Sequence, residues 1–328
     1  MSNFKAFRLF EGTDKPEGRV VTMREDELSP GDVLIRTAYS SINFKDALAA
    51  HGINRIIRHF PRIGGIDLVG AVAKSSDVRF KEGDRVIVHG FGIGVDHDGG
   101  HAQYARVSAD WVLPLPPGVT ERDAASCGVA GYTAALAIHL MELNGLAPER
   151  GKVLVNGATG GVGSVAIDML AGRGYSVSAV TGKETERDYL IRLGASEILP
   201  RASLAMGKKP LEKPLWAGAV DSVGGEMLGW LTRTMQPDGV IASIGNAGGV
   251  DLQTTVLPFI LRGVRLLGIN ANSAMPLRRI VWQRIAHDLR PRHLDAIAQV
   301  IRLEGLPGAF TRLLEGKARG RTIVDLSE

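Results

Sequence analysis

The 328-residue sequence holds a single cysteine, Cys127, which excludes an intramolecular disulfide framework and any cysteine-based structural zinc site. One thiol also suits a reducing compartment, so the cytoplasm is the expected location. Aromatic residues make up only 5% of the chain, and no aromatic-rich stripe of the kind that stacks bases is present, which argues against a nucleic-acid partner. No run approaches the ~18 to 20 consecutive apolar residues of a membrane span. The first twelve residues, MSNFKAFRLFEG, carry Lys5, Arg8 and Glu11 where a secretory signal has its apolar core. Internal repeats and low-complexity linkers are also lacking.

What is present is globular. Hydrophobic residues at 45% and charged residues at 23% are ordinary, and 41 glycines supply many tight turns. The length corresponds to two domains at ~150 residues each. A formal charge of +4 suits nucleic acid, anionic lipid or a phosphorylated small molecule without choosing among them.

The first third alternates short β-branched runs with glycine and proline. Asp32 to Ala38, Asp67 to Ala73, Arg85 to His89 and Ala102 to Val107 read as strands of a small twisted β unit. From about Ala124 the texture becomes α/β. A helix over Gly131 to Leu143 is followed by strands at Lys152 to Asn156, Ser176 to Thr181, Ala217 to Asp221, Gly239 to Ile244 and Val264 to Ile269. Helices at Gly163 to Arg173 and Glu186 to Leu193 separate the first of these, the cadence of a doubly wound parallel sheet. The tail holds helices near Arg279 to Leu289 and Ala309 to Leu314, then a strand, Arg321 to Leu326.

The most informative stretch runs from Val153 to Gly163, VLVNGATGGVG. A buried strand enters a glycine-rich turn and then a helix, the context in which free backbone N–H groups receive a pyrophosphate. The spacing departs from G-x-G-x-x-G at Ala158. At the end of the next strand the chain reads Val180-Thr181-Gly182-Lys183. NAD sites usually place an acid there. A cation with small neighbours suits a 2′-phosphate, hence NADP(H), although Glu184 follows one place later.

Several motifs together resemble the medium-chain dehydrogenase/reductase superfamily over nearly the whole chain. They include Gly83-Asp84-Arg85-Val86, the run Gly99 to Tyr104, Asp221 to Gly225 and Gly263 to Gly268. SSINFKDALA from Ser40, IIRHFP from Ile56, GIDLVG from Gly65, TTVLPFILRGV from Thr254 and GRTIV from Gly320 are similar to the zinc-free acryloyl-CoA reductases, a branch also labelled quinone oxidoreductases. The resemblance implies an α/β protein with a GroES-like β-rich catalytic domain at 1–126 and 270–328, and a Rossmann NADP(H)-binding domain at 127–269. It also implies a cleft between the domains and a homodimer, expected through the sheet-edge strand Val264 to Ile269. Zinc-dependent relatives carry a cysteine near 43 and Gly-His-Glu near 65, where this chain has Asn43 and Gly65-Ile66-Asp67, so no tetrahedral metal set remains. Asp96-His97-Asp98 with His101 is a second possible ligand set, read more simply as solvated polar surface.

By the same resemblance, cofactor contacts fall on Thr159, Gly160, Gly161, Val162, Thr181, Gly182, Lys183, Arg201, Asn246 and Arg321, with the Phe44 ring packing on the cofactor. Hydride addition to the β-carbon of an α,β-unsaturated thioester leaves an enolate, which needs hydrogen-bond donors and then a proton at the α-carbon. Asn43 is the expected donor near the thioester oxygen. Asp67 is expected to orient Asn43 or Lys45, and His97 to relay a proton. Lys45 and Asp46 read either as a polar pair near the cleft or as a helix-start ion pair.

The chain also departs from the relatives. They generally have Tyr at position 44, so a phenolic proton donor there is excluded. Phe91 and Asp98 stand where relatives have tryptophan, and Asn270 to Ser273 replaces an Asp-Ser-Val; a smaller, more polar pocket is the expectation. The cations Arg55, Arg58, His59 and Arg62, and Arg278, Arg279 and Arg284, are candidates for the phosphates of a CoA thioester, weighed against solvated helix faces. Rival readings are a quinone or enone reductase on the same scaffold and a noncatalytic NADPH- or RNA-binding protein.

Overall fold

A computed structural model describes residues 3–327. It comprises two compact units: the chain through Val129 with Ala274–Arg279 and the chain from Ala298 onward, and Ala130–Ser273 with Ile280–Ile297.

The first unit is built on Val33–Ser41, a nine-residue strand with Val33, Leu34 and Ile35 all buried. It pairs antiparallel with Asp67–Ser75, Tyr104–Val107 and Arg321–Asp325, and Arg85–His89 extends the sheet beyond Asp67–Ser75. Val33, Ile35, Leu68, Val72, Val86, Val88, Ala105 and Val107 form one core there. A second core gathers Phe7, Ile42, Ala47, Ile57, Leu306 and Phe310. It seats the short helix α1, Phe44–Ala50. The sequence marks its start, through the helix-start reading of Lys45 and Asp46 and through the capping-box spacing of Asn43-x-x-Asp46. The hairpin Asn3–Phe10 with Glu17–Arg24 is not marked in the sequence: its outer strand does not alternate, and only Met23 in it is buried.

The second unit carries the expected parallel sheet. Its strands lie in the order Glu197–Pro200, Val177–Thr181, Val153–Val155, Trp216–Asp221, Met235–Ser243, Arg265–Gly268. Numbered along the chain, that is the 3-2-1-4-5-6 order of a dinucleotide-binding fold. Val153–Val155, central and wholly buried, is apolar at every position, as a strand covered on both faces must be.

Two expectations need correction. The segment Ile280–Ile297 belongs with the second unit, not with the β-rich unit. Buried Asp168 accepts from the backbone N of Arg292 (2.7 Å) and His293 (2.9 Å) and from His293 Nδ1 (2.8 Å), and Trp282 stacks on Tyr132, which ties the segment down. Helix α2, Glu121–Leu143, starts ten residues before the expected Gly131 and is broken at Gly128. By length and composition it is apolar enough to cross a membrane, contrary to the sequence reading; 83% of its most apolar window is buried within the protein, which makes it a core helix.

Candidate functional site

In the second unit the strand Val153–Val155 ends at Asn156, which is wholly buried. Its Oδ1 accepts from Ser222 N at 2.7 Å and its Nδ2 donates to the Asp221 carboxylate. Asp221 also accepts from Gly224 N at 3.1 Å, and burial raises its pKa. This clamp fixes the C-terminal ends of two adjacent strands, where open α/β sheets bind ligands. The chain then turns through Gly157 to Gly160 into α3, Gly161–Gly172. Gly160 provides no side-chain cap, and the amides of Gly161, Val162 and Gly163 meet no acceptor among the described residues. A helix start with unsatisfied donors and the positive end of its dipole attracts an anion.

A second feature lies at the end of Val177–Thr181. Thr181 Oγ1 accepts from Lys183 N at 2.9 Å, fixing the turn. Glu197–Pro200 runs parallel with Pro200 opposite Thr181, and this delivers Arg201 against Gly182. A Cβ at Gly182 would lie 3.2 Å from Arg201 Nη2, so the guanidinium occupies the room a side chain would need. Burial lowers the Lys183 pKa, partly opposed by Glu186. The structure therefore brings Gly182, Lys183 and Arg201 together, with no carboxylate at 181–183. Orphan helix amides plus two cations form a donor set that fits a 2′-phosphorylated dinucleotide. Asn246 is exposed beyond Met235–Ser243 and lies beside Gly224.

In the first unit the candidates converge on Asp67, 4% exposed. Its carboxylate accepts from Ser41 N (2.8 Å), Ser41 Oγ (2.6 Å), Asn43 Nδ2 (3.0 Å) and Val129 N (3.0 Å). The last bond exists because α2 breaks at Gly128, whose φ of +50° and ψ of −156° suit only glycine. A Cβ there would sit 2.4 Å from Ser41 Oγ and 2.8 Å from Asp67 Oδ2. Asp67 thus orients Asn43, one of the two alternatives drawn from sequence. The remaining Asn43 N–H makes only a long contact to Ser41 O, 3.4 Å.

Arg321, expected as a cofactor contact, is 3% exposed. Its guanidinium donates to Ile42 O (2.9 Å), Asn43 Oδ1 (3.2 Å) and Ser41 Oγ, and lies 4.0 Å from Asp67 Oδ2. Burial lowers its pKa, opposed by Asp67 and Asp46. It holds the Asn43 amide through Oδ1, while Asp67 Oδ2 holds it through Nδ2.

Asp46 is 4% exposed. It does not pair with Lys45, which is exposed; it accepts from Asn43 N at 2.7 Å and Ile66 N at 3.0 Å. Burial, and then the Asp67 charge, push its pKa up to about 7. An acid that holds its proton more tightly when folded loses stability as pH rises from about 4 to 7, with no further change above. Buried His101, lowered to about 4, has the opposite slope in an overlapping window, since stability from its neutral form is lost as pH falls. The test is therefore a difference: across pH 4 to 7, Asp46→Asn should remove a downward slope of up to about 1.4 kcal/mol per pH unit. Parallel stability profiles for the two proteins would contradict this.

The remaining candidates fall elsewhere. His97 Nε2 donates to Arg106 O at 2.7 Å, which leaves Nδ1 as the basic nitrogen of the neutral ring. No hydrogen bond joins it to the Asp67 cluster among the described residues. Phe44 is 48% exposed at the start of α1. Asp98 and His101 are not solvated surface: Asp98 holds Ser29 N (3.0 Å), Ile63 N (3.1 Å) and Arg62 Nη1 (3.4 Å), while His101 Nδ1 meets Ser40 Oγ at 2.9 Å. The acid that replaces a tryptophan therefore braces a loop against Arg62–Ile63. Phe91 stacks under the buried Arg278, 4.2 Å from the ring centre. No group of three or more His, Cys, Asp or Glu able to hold a metal occurs among the described residues.

Comparison with known proteins agrees with this architecture. The family model described as alcohol dehydrogenase GroES-like domain matches residues 29–117, and that described as zinc-binding dehydrogenase matches residues 161–287. The chain is 43% identical to acrylyl-CoA reductase AcuI of Ruegeria pomeroyi over 97% of both chains. It is 45% identical to the Bacillus subtilis protein yhfP, solved with NAD bound, with a TM-score of 0.97 over 99% of this chain and all of that one. It is 42% identical to the yhdH oxidoreductase of Salmonella enterica, solved in complex with NADP, with a TM-score of 0.96 over 98% of this chain and 100% of that one. The chain belongs to the medium-chain dehydrogenase/reductase family, in the branch that holds AcuI and yhfP.

Proposed function

We propose that this chain is an NADPH-dependent oxidoreductase that reduces the C=C bond of acryloyl-CoA or a similar α,β-unsaturated acyl thioester. The observation that carries the reading is the full-length 43% identity to AcuI, and the cation pair beside Gly182 gives it a physical basis for NADP(H). When bound, reduced cofactor supplies a hydride to the β-carbon. The protein must hold the thioester, stabilise the enolate and deliver a proton to the α-carbon. Asn43 is the donor to the thioester oxygen: exchanging its long 3.4 Å contact to Ser41 O costs little, while Asp67 and Arg321 hold the amide in place. The exposed Phe44 ring packs on the cofactor but has no proton to give. His97, through Nδ1, and Lys45 are the remaining proton-transfer candidates.

A second reading, quinone reduction, follows from the quinone oxidoreductase label of the Bacillus subtilis relative. NADPH oxidation followed by absorbance with acryloyl-CoA, crotonyl-CoA, a simple quinone and no acceptor separates the two. Selective turnover of the thioesters supports the first reading and quinone turnover alone the second. Tight NADPH binding without turnover favours a noncatalytic protein.

The reading includes a cytoplasmic homodimer. Arg265–Gly268 is the edge of the six-stranded sheet, and Val256, Ile260 and Leu261, in the segment that leads into it, are each more than 60% exposed. An apolar edge of this kind is stabilised by pairing with a second copy. A solution mass of two chains is expected; a monomer at micromolar concentration would contradict it.

A further inference from the structure

Among the cations marked as phosphate candidates, the structure separates those already engaged from those on display. Arg62 bonds to Asp98 at 3.4 Å, Arg284 to Glu142 at 2.6 Å, and Arg278 is buried on Phe91 and His89. Arg55, Arg58, His59 and Arg279 are exposed, with no ion-pair or hydrogen-bond partner among the described residues. Arg279 stands apart on the helix Met275–Ala286, whereas the other three share one stretch that contains no acidic residue between Asp46 and Asp67, so no carboxylate in that segment neutralises them.

The backbone that carries these cations is anchored. Ile57 is buried in the core beneath α1, and Ile56 and Phe60 pack against the same core. Asn54 and Arg55 both hold left-handed backbone, at φ +61° and +48°. Non-glycine residues seldom adopt that conformation, and strain of this kind is retained mostly at functional positions. The loop also begins where α1 ends. Seven residues of helix, about 10 Å, separate Asn43, at the helix start, from the cationic loop. The phosphates of a CoA thioester sit on a long flexible arm from its carbonyl, so a carbonyl at Asn43 is compatible with phosphates at this loop.

We propose that Arg55 and Arg58, with His59, form the docking site for the phosphate groups of a coenzyme A thioester. This rests on the thioester reading above and deepens it: the loop selects the CoA-bound form of the acyl group over the same acyl group on a carrier without phosphates. Guanidinium groups suit phosphate because their planar N–H forks make charge-assisted pairs.

The test compares wild type with Arg55→Ala, Arg58→Ala and the double variant on acryloyl-CoA and on acryloyl-pantetheine, which lacks phosphates. KM for acryloyl-CoA should rise about 5-fold in each single variant and about 20-fold in the double, as partly exposed ion pairs warrant. The wild-type advantage should shrink as salt is added. KM for acryloyl-pantetheine and for NADPH should not move. An unchanged KM for acryloyl-CoA, an equal rise for both thioesters, or a rise for NADPH would overturn the proposal. If neither thioester is reduced, the thioester reading itself fails, and calorimetric binding of free CoA decides the site separately. Weaker CoA binding by the double variant supports a phosphate site, and equal binding overturns it.

Discussion

Asp67→Asn should destabilise the protein by about 3 to 5 kcal/mol, the range for breaking a buried ion pair from one side. The carboxylate receives four hydrogen bonds, from Ser41 N, Ser41 Oγ, Asn43 Nδ2 and Val129 N. An amide keeps the shape but turns one acceptor into a donor facing other donors. It also leaves the Arg321 guanidinium, 3% exposed, without its nearest anion. At about 2 to 4 °C per kcal/mol for a unit of this size, the melting temperature should fall by roughly 10 °C. Arg321→Met should be costly for the converse reason, since Asp67 and Asp46 would then face each other unbalanced. The double variant should cost clearly less than the sum, because the two residues share one network. A loss under about 1 kcal/mol for Asp67→Asn would show that the hub is not what holds Asn43.

The second large effect concerns the cofactor. Lys183→Glu places a carboxylate beside Arg201, where the 2′-phosphate is expected, replacing attraction by repulsion. With charge-assisted bonds worth about 1.5 to 3 kcal/mol each, the ratio of kcat/KM for NADPH to that for NADH should fall about 100-fold. Arg201→Ala removes one contact and should lower the ratio about 10-fold. Both variants lie on the surface side of Gly182, so melting temperatures should stay close to wild type. A ratio unchanged in Lys183→Glu would mean that this turn does not read the 2′-phosphate.

The difference between these two sites shows what could be read from sequence. The nucleotide turn is local: strand, glycine turn, helix and the next strand follow one another within thirty residues, and each step has its own pattern. Even there, Arg201 comes alongside Gly182 only because Glu197–Pro200, a strand the sequence reading did not mark, pairs next to Val177–Thr181. The Asp67 hub is non-local. Ser41, Asp67, Gly128 and Arg321 are far apart along the chain, and nothing in any one segment shows that they meet. Local pattern therefore gives no sign of the contacts of Arg321 with Ser41 and Asn43, and it reads Asp98 and His101 as surface although both are buried. Buried polar residues with partners distant in sequence look like exposed ones until those partners are known. Asp46 is the exception: its capping-box spacing from Asn43 is legible in the sequence.

Hydride delivery to the β-carbon of an acryloyl thioester is followed by running the reaction with NADPH deuterated at the transferred position of C4 and locating the label in the product. Propionyl-CoA with deuterium on the β-carbon only and a solvent-derived proton on the α-carbon is expected. Deuterium at the α-carbon, or cofactor oxidation with no propionyl-CoA formed, would contradict it.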